Sequence, residues 1–483
     1  MMTSRARTIG LLLGLLLAVP CVSALAQDQP ANPPPQPDSS AGNSGGAQPQ
    51  GEEEVPALPR TPQNDRVPVS GVEDYRLDGI NLGRSFVVGQ AEFNEVYSTN
   101  TNGAATSSGA MHDSISNLQG MLSLQLLSRR SALNLDYRPG LLVYDRGTVG
   151  TEIIQQFNIT EKFYLRRWTL VLGNDFSYLP QSPIGLGGFV GGGAANSGIP
   201  GVGGGLTNFN PFFVPGQSIQ TLGNRISNAF VGQAQYTFGP RSSVNFSGTY
   251  GLVHFFDTGL LNSRDLALRL GYDYTISAKQ TFTVAYSRNQ IFFSPGIPGF
   301  SSDSVLVGYR RTISGRMSLI VESGPQFSHF QGGVSGSSTR VAYHVRGVLR
   351  YRTLRNTIEL SYQHRLSEGS GVLVGAQTDL VSASIARIVS RNWTATTSAN
   401  FNHNSSLNQT TGAVTNFHFN SWNGNISASR RLGQSTNIQF QYNVSRQTSN
   451  VSGCINNIPC GSVSLNQQIG LGLVWNSRPY SID

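Results

Sequence analysis

From Ser263 to Ile276 the chain reads S-R-D-L-A-L-R-L-G-Y-D-Y-T-I, with a large apolar residue at every second position from Leu266 onward. Leu266, Leu268, Leu270, Tyr272, Tyr274 and Ile276 alternate with Asp265, Ala267, Arg269, Gly271, Asp273 and Thr275. A period of two belongs to a β-strand with unlike faces. In a soluble sheet one face meets a dry core and the other meets water. Here the apolar face carries tyrosine beside leucine, the other carries small and charged residues, and the pattern returns about every 20 residues to the end of the chain. Such alternation predicts a transmembrane β-barrel, with apolar side chains in lipid and polar ones in the lumen.

The mean hydropathy of −0.17 would suit a mildly polar soluble protein. Alternation averages out in hydropathy windows, so a barrel is compatible with that value. No apolar run of 18 residues follows the N-terminal stretch, which excludes helical membrane spans. Residues 1–26 read as a secretory signal peptide. Arg5 and Arg7 precede an apolar core from Ile9 to Val19, and Ala24-Leu25-Ala26 offers a cleavage site after Ala26. Residues 27–74, rich in Pro, Gly and acid (Glu52-Glu53-Glu54), bury too little to fold and are expected to be a disordered periplasmic tether. Residues 75–483 are assigned to the barrel and hold 30 Lys and Arg against 18 Asp and Glu. No basic helix exists and no Lys/Arg run exceeds two, so nucleic acid is excluded as a partner.

From Phe86 onward, eighteen alternating segments can be counted, with sixteen the alternative. The expected fold is all-β, an antiparallel up-and-down transmembrane barrel. Short turns are expected near Arg129-Arg130, Glu161-Lys162, Pro240-Arg241, Ala278-Lys279, Gly315-Arg316, Leu354-Arg355, Ser390 to Asn392 and Leu432 to Gln434. Long Gly-, Ser- and Asn-rich connections are expected at Ser294 to Ser301, Gln331 to Ser338 and Ser405 to Thr415. An even strand count with short turns on one side and long loops on the other is the outer-membrane arrangement, with both termini in the periplasm. A soluble sandwich would not enforce that alternation. One hairpin tests the register. A two-residue turn at Leu354-Arg355 makes Thr353 face Asn356 and Arg350 face Glu359 on the polar side. Each short turn carries or adjoins Arg or Lys, which would meet anionic headgroups; edge protection is the other reading.

The longest connection, about 180–223, is Gly-rich and carries Phe189, Phe209, Asn210, Phe212 and Phe213, with no charged residue between Asp175 and Arg225. It lacks the strand–helix context and lysine of a phosphate loop. In strand number, loop alternation and this connection the chain resembles the general porins, whose third extracellular loop, between strands five and six, folds into the barrel and narrows the pore. The resemblance covers residues 75–483 and implies that these five residues line a constriction. General porins carry acid on that loop; this chain has none, which points to a neutral, aromatic gate. The architecture also loosely resembles β-barrel porins found with exopolysaccharide export systems. In porins a terminal aromatic residue addresses the barrel assembly machinery; here Trp475 and Tyr480 come close, but the chain ends Ser481-Ile482-Asp483.

Candidate lumen charges are Asp265, Arg269, Asp273, His344, Arg346, Arg350, Glu359 and Arg365. Near mid-strand, Arg269 and Arg346 would each cost about 2–4 kcal/mol facing lipid, so the lumen is their place. They could select anionic solutes or pair with other charges across the wall. The seven His are scattered, with no H-E-x-x-H or G-x-S-x-G, so a hydrolase is the weakest rival and no catalytic residue, metal ligand or cofactor is assigned. The expectation is an outer-membrane channel for passive diffusion of small hydrophilic solutes, anionic ones among them. A polysaccharide-export barrel or a hydrophobic-compound channel is the alternative. Its partners would be outer-membrane lipid, the assembly machinery and small-molecule or oligosaccharide solutes, with a homo-oligomer left open.

Cys454 and Cys460 lie six apart before the last segment, and an oxidising exterior favours a disulfide between them. Thiol labelling of the unreduced protein should leave both unmodified. Reduction should lower stability by about 2 kcal/mol or less, since the closed loop is short.

Overall fold

The computed structural model describes residues 85–103, 109–146, 150–181, 222–256, 260–294, 297–333, 336–367, 373–407, 417–450 and 463–482. Ala26, the 27–74 tether, Cys454 and Cys460, and Phe189, Phe209, Asn210, Phe212 and Phe213 lie outside the described residues.

Eighteen long strands follow one another. The first six are β1 (Phe86–Ser98), β2 (Asp113–Leu127), β3 (Ser131–Tyr144), β4 (Thr151–Tyr164), β5 (Trp168–Gln181) and β6 (Leu222–Thr237). The next six are β7 (Ser242–Phe255), β8 (Ser263–Ser277), β9 (Gln280–Phe293), β10 (Phe300–Ser314), β11 (Met317–Gly333) and β12 (Gly336–Arg352). The last six are β13 (Asn356–Ser367), β14 (Ala376–Ile388), β15 (Trp393–Ser406), β16 (His418–Arg431), β17 (Thr436–Ser449) and β18 (Val463–Asn476). Each pairs antiparallel with its neighbours in sequence, and the sheet closes where β1 pairs β18 from Gln90↔Asn476 to Ser98↔Gln468. A two-residue strand, β19 (Tyr480–Ser481), extends that seam to Phe86. The break between β18 and β19 is bridged by Ser477, whose Oγ accepts from the Gly89 amide at 2.8 Å. The eighteen-strand antiparallel barrel read from the alternation is the observed fold.

The faces are inverted relative to a soluble protein. On β8, Leu268, Leu270, Tyr272, Tyr274 and Ile276 are exposed, whereas Arg269 (3% exposed) and Asp273 (5%) are buried inside. The same inversion runs around the wall: Phe93, Leu118, Phe230, Val305 and Leu471 point out, and Asn94, Asn117, Thr283, Gln326 and Gln468 point in. A soluble sandwich would bury those leucines, so the arrangement is a lipid-facing one. Aromatic clusters mark both borders of the apolar belt. At the short-turn end Trp168 and Tyr236 pack at 4.8 Å between centroids, as do Tyr236 and Phe238; at the other end Phe401 and Trp422 pack at 4.3 Å. Rings amphipathic in this way collect where a bilayer meets water.

Two expected connections differ. The Glu161-Lys162 turn is displaced to 165–167, because both residues stay in the ladder, opposite Leu133 and Ala132, with Lys162 buried on the inner face. The long connection at Gln331 to Ser338 is a hairpin instead. β11 runs to Gly333 and β12 starts at Gly336, and the pair Gly333↔Gly336 extends the ladder through a polar sequence that lacks alternation. The Leu354-Arg355 hairpin has the expected register: Arg350 faces Glu359, and the Thr353 amide donates to the Asn356 carbonyl at 2.7 Å.

Gly324 on the inner face of β11 precedes Pro325, and a Cβ there would overlap the Val305 backbone carbonyl of β10. The close approach of two backbones requires glycine. Gly324→Ala should therefore lower the unfolding free energy by about 1–3 kcal/mol. Gly347→Ala, where a Cβ meets nothing, should be near neutral. Urea titrations of both variants in detergent check the difference.

Candidate functional site

The barrel interior is the one surface where this chain gathers polar chemistry away from lipid, and alternation places it there. Among the expected lumen charges, Arg269, His344 and Arg346 converge on a carboxylate the sequence reading did not single out, Glu322 of β11. Arg269 grips it with two hydrogen bonds, Nη1 to Oε1 at 3.1 Å and Nη2 to Oε2 at 2.5 Å. Donor and acceptor residues are 3% and 1% exposed, so this is a fully desolvated, bidentate pair. Its reach, from β8 over β9 and β10 to β11, shows how strongly the wall curves here. His344 Nε2 lies 3.7 Å from Glu322 Oε1, and Arg346 stands directly opposite Glu322 in the β11–β12 register. One arginine and a histidine thus meet this carboxylate, and a second arginine stands across the ladder from it.

The other expected charges lie around this group, with Arg365 next to His344 across the β12–β13 ladder. Asp273 accepts from Asn245 Nδ2 at 2.6 Å and from the Thr283 hydroxyl. Arg350 Nε meets Glu359 Oε2 at 2.7 Å with both side chains about a third exposed, a pair worth at most about 1 kcal/mol. Asp265 and Arg365 sit half-buried on inner positions of β8 and β13, away from the strand centres. Glu322 was legible in principle: it occupies the polar phase of β11 at mid-strand, where facing lipid is costly.

The opposite arc of the wall is different in kind. Among the described residues, the inner faces of β15 to β18 carry amides and hydroxyls and no charge between the two rims. Gln439, Gln441 and Asn443 of β17 are buried there, as are Asn94 of β1 and Asn117 and Gln119 of β2. Glu92 is a carboxylate beside them, held by Asn94 Nδ2 at 2.6 Å and Gln90 Nε2 at 3.4 Å. Gly472 of β18 makes room for this group, since a Cβ would overlap Asn94 Oδ1. Among the described residues neither side-chain atom of Asn117 has a partner, nor do Gln439 Oε1, Gln441 Nε2 and Asn443 Nδ2. Toward the long-connection end the inner face turns apolar, with Val96, Ile115, Leu142, Tyr144, Ile154 and Leu179 packed in one cluster. Sequence reading missed this collar, because inward apolar residues at strand ends break the alternation that identified the strands.

The outer face carries a His364–Asp379 pair, Nδ1 to Oδ1 at 2.6 Å, beneath Tyr343 stacked at 4.5 Å. The second ring nitrogen faces Gln377 Nε2 at 2.9 Å, where a hydrolase would need a nucleophile. Among the described residues no three His, Cys, Asp or Glu are placed to hold a metal ion.

No protein-family model matches the chain, and no curated protein matches it in sequence. Solved structures similar to it include Pseudomonas aeruginosa OccK2 (OpdF) in complex with glucuronate, at 8% identity over 82% of this chain and 98% of that one, TM-score 0.43. Acinetobacter baumannii OccAB3 is similar at 9% identity over 82% and 100%, TM-score 0.42. The unliganded ferric citrate transporter FecA is similar at 8% over 82% and 79%, TM-score 0.40. The assignment of the fold rests on the strand pairing and the inverted faces, not on these likenesses.

Removing the carboxylate that Arg269 grips should be costly. Glu322→Gln leaves Arg269 buried without its counter-charge and should lower the unfolding free energy by about 3–5 kcal/mol. Glu359→Gln, at the exposed pair, should change it by about 1 kcal/mol or less. Urea unfolding followed by tryptophan fluorescence measures both.

Proposed function

We propose that this chain is an outer-membrane channel for passive diffusion of small hydrophilic solutes. The observation that carries the reading is the inverted barrel: a closed eighteen-strand wall with an apolar, aromatic-bordered outside and a polar inside. Barrels of this size enclose a lumen wide enough for an aqueous path. The first and last described strand segments meet at Phe86↔Ser481, so both ends of the wall are at the short-turn end, which we assign to the periplasm.

The passage is selective rather than wide. Inner polar side chains such as Asn94, Ser302 and Asn404 are almost completely buried, which an open, water-filled tunnel would not produce. Arg269, Arg346 and Arg365 lie on the same inner arc as Glu322, and an excess of arginine there would favour anions weakly. The amide arc supports a second reading of the solute. Each amide offers both donor and acceptor, as a polyhydroxylated molecule requires, and the uncharged inner faces of β15 to β18 would hold such a solute without preferring ions. Passage of an oligosaccharide fits that arc. The 180–223 connection, with Phe189, Phe209, Asn210, Phe212 and Phe213, is proposed to narrow the path further. No nucleophile stands beside the His364–Asp379 pair among the described residues, so an enzymatic role has no support from that pair.

The protein should fractionate with the outer membrane and migrate heat-modifiably on gels. In planar bilayers it should open small single channels with reversal potentials on the anion side. Arg346→Ser should reduce that preference at nearly constant conductance, and deletion of Gly187 to Gly216 should raise conductance several-fold. A folded barrel that conducts nothing ends the channel reading.

A further inference from the structure

The short turns at one end of the barrel carry one sign of charge. Arg129 and Arg130, Arg166 and Arg167, and Arg430 and Arg431 stand in or beside three of these turns, and all six are exposed. Each of the other five short turns carries or adjoins Arg or Lys, and none of the eight holds Asp or Glu. Among the described residues none of the six is ion-paired. Arg167 Nη1 donates to the Tyr236 hydroxyl at 3.4 Å, and Arg431 donates to the carbonyls of Gly433 at 3.0 Å and Gln434 at 3.2 Å. At the other end the outward charges are mixed in sign, and acids occur among them: Asp303 meets Arg288 at 3.7 Å, and Asp379 meets His364.

The outer wall next to the cationic ring is aromatic. Trp168, Tyr236, Phe238 and Trp475 lie within a few residues of the turns, and the Arg430 guanidinium sits 5.7 Å from the centroid of the Trp393 ring. Protection of strand edges or solubility during assembly would be served by charge of either sign. A one-signed ring of unpaired guanidinium groups, at the depth where interfacial rings sit, matches a surface that is itself negative.

We propose that this rim is a binding surface for anionic phospholipid of the leaflet it meets. The guanidinium N–H groups donate to the phosphodiester oxygens, while the tryptophans lie at the level of the glycerol backbone. The preference for an anionic over a zwitterionic headgroup should be about fivefold for each cation engaged. The inference rests on the wall and its turns and is independent of what passes through the lumen.

The chain holds four tryptophans, and they divide usefully. Trp168, Trp393 and Trp475 lie at the short-turn end, and Trp422 lies at the opposite border. Trp422→Phe leaves three reporters at the rim, and the triple variant W168F/W393F/W475F leaves one at the far end. Each protein is reconstituted into phosphatidylcholine vesicles containing brominated phosphatidylglycerol or brominated phosphatidylcholine, and quenching gives the relative binding constant. The expected result is a phosphatidylglycerol preference of about fivefold or more at the rim, near unity at Trp422, and near unity everywhere once the six arginines are changed to Gln. In the unsubstituted rim the preference should fall as salt rises from about 0.1 to 1 M, a readout that does not depend on the sextuple variant folding. A rim constant near one overturns the proposal, and is the result the acidic Glu52 to Glu54 segment would give if it covered the rim. Equal preference at both ends, or a preference that survives salt, overturns it as well.

Discussion

Inside a bilayer no water is available to hydrogen-bond the peptide group, so every backbone N–H and C=O of the wall must find a partner within the wall. A sheet meets that requirement only by closing. In this chain closure depends on the pairing of β1 with β18, nine registered residue pairs between Gln90 and Ser98, and on the short β19 continuing the seam past Ser477. Eighteen strands with short turns at one end follow from the same need, since each hairpin leaves no unpaired edge behind it. Opening any one seam would expose two edges to lipid together, which makes the closed ladder cooperative.

Closure also sorts the side chains. Once the backbone is satisfied, alternate residues have only two destinations, and the apolar ones go to lipid. The polar ones are then crowded onto an inner surface and must satisfy one another. That crowding produces the Arg269–Glu322 pair, which spans from β8 to β11, and the hydrogen-bonded carboxylates Glu92 and Asp273. It also leaves some amides, Asn117 among them, with donors and acceptors directed inward and unmatched among the described residues. The interior therefore holds two chemistries, charged groups on β8 to β13 and uncharged amides and hydroxyls on β15 to β18, and both bear on which solute would pass.

The outside is as differentiated as the inside. One border of the apolar belt carries turns with cations and no acid, next to Trp168, Trp393 and Trp475. The other carries His364, Asp379 and Asp303 in pairs beneath tyrosines. A bilayer with unlike leaflets would present different headgroups to these two borders, and the asymmetry of the wall is of that kind.

The alternation in segments such as Leu266 to Ile276 determined the class of fold by itself. A period of two with tyrosine among leucines has a stable home only where lipid replaces water on one side. Strand number, the polarity of the turns and the Arg350–Glu359 register were equally local properties, readable because a two-residue turn ties neighbouring positions together. What tertiary structure decided was whatever depends on strands distant in sequence. Glu322 lies 53 residues from Arg269 and became its partner only through the curvature of the wall. The extended β11–β12 hairpin is held by a ladder between polar residues that carry no alternation signal. The apolar collar of Val96, Leu142 and Leu179 and the amide arc opposite the charges arise because closure brings together inner faces from many hairpins, and no single hairpin encodes that meeting.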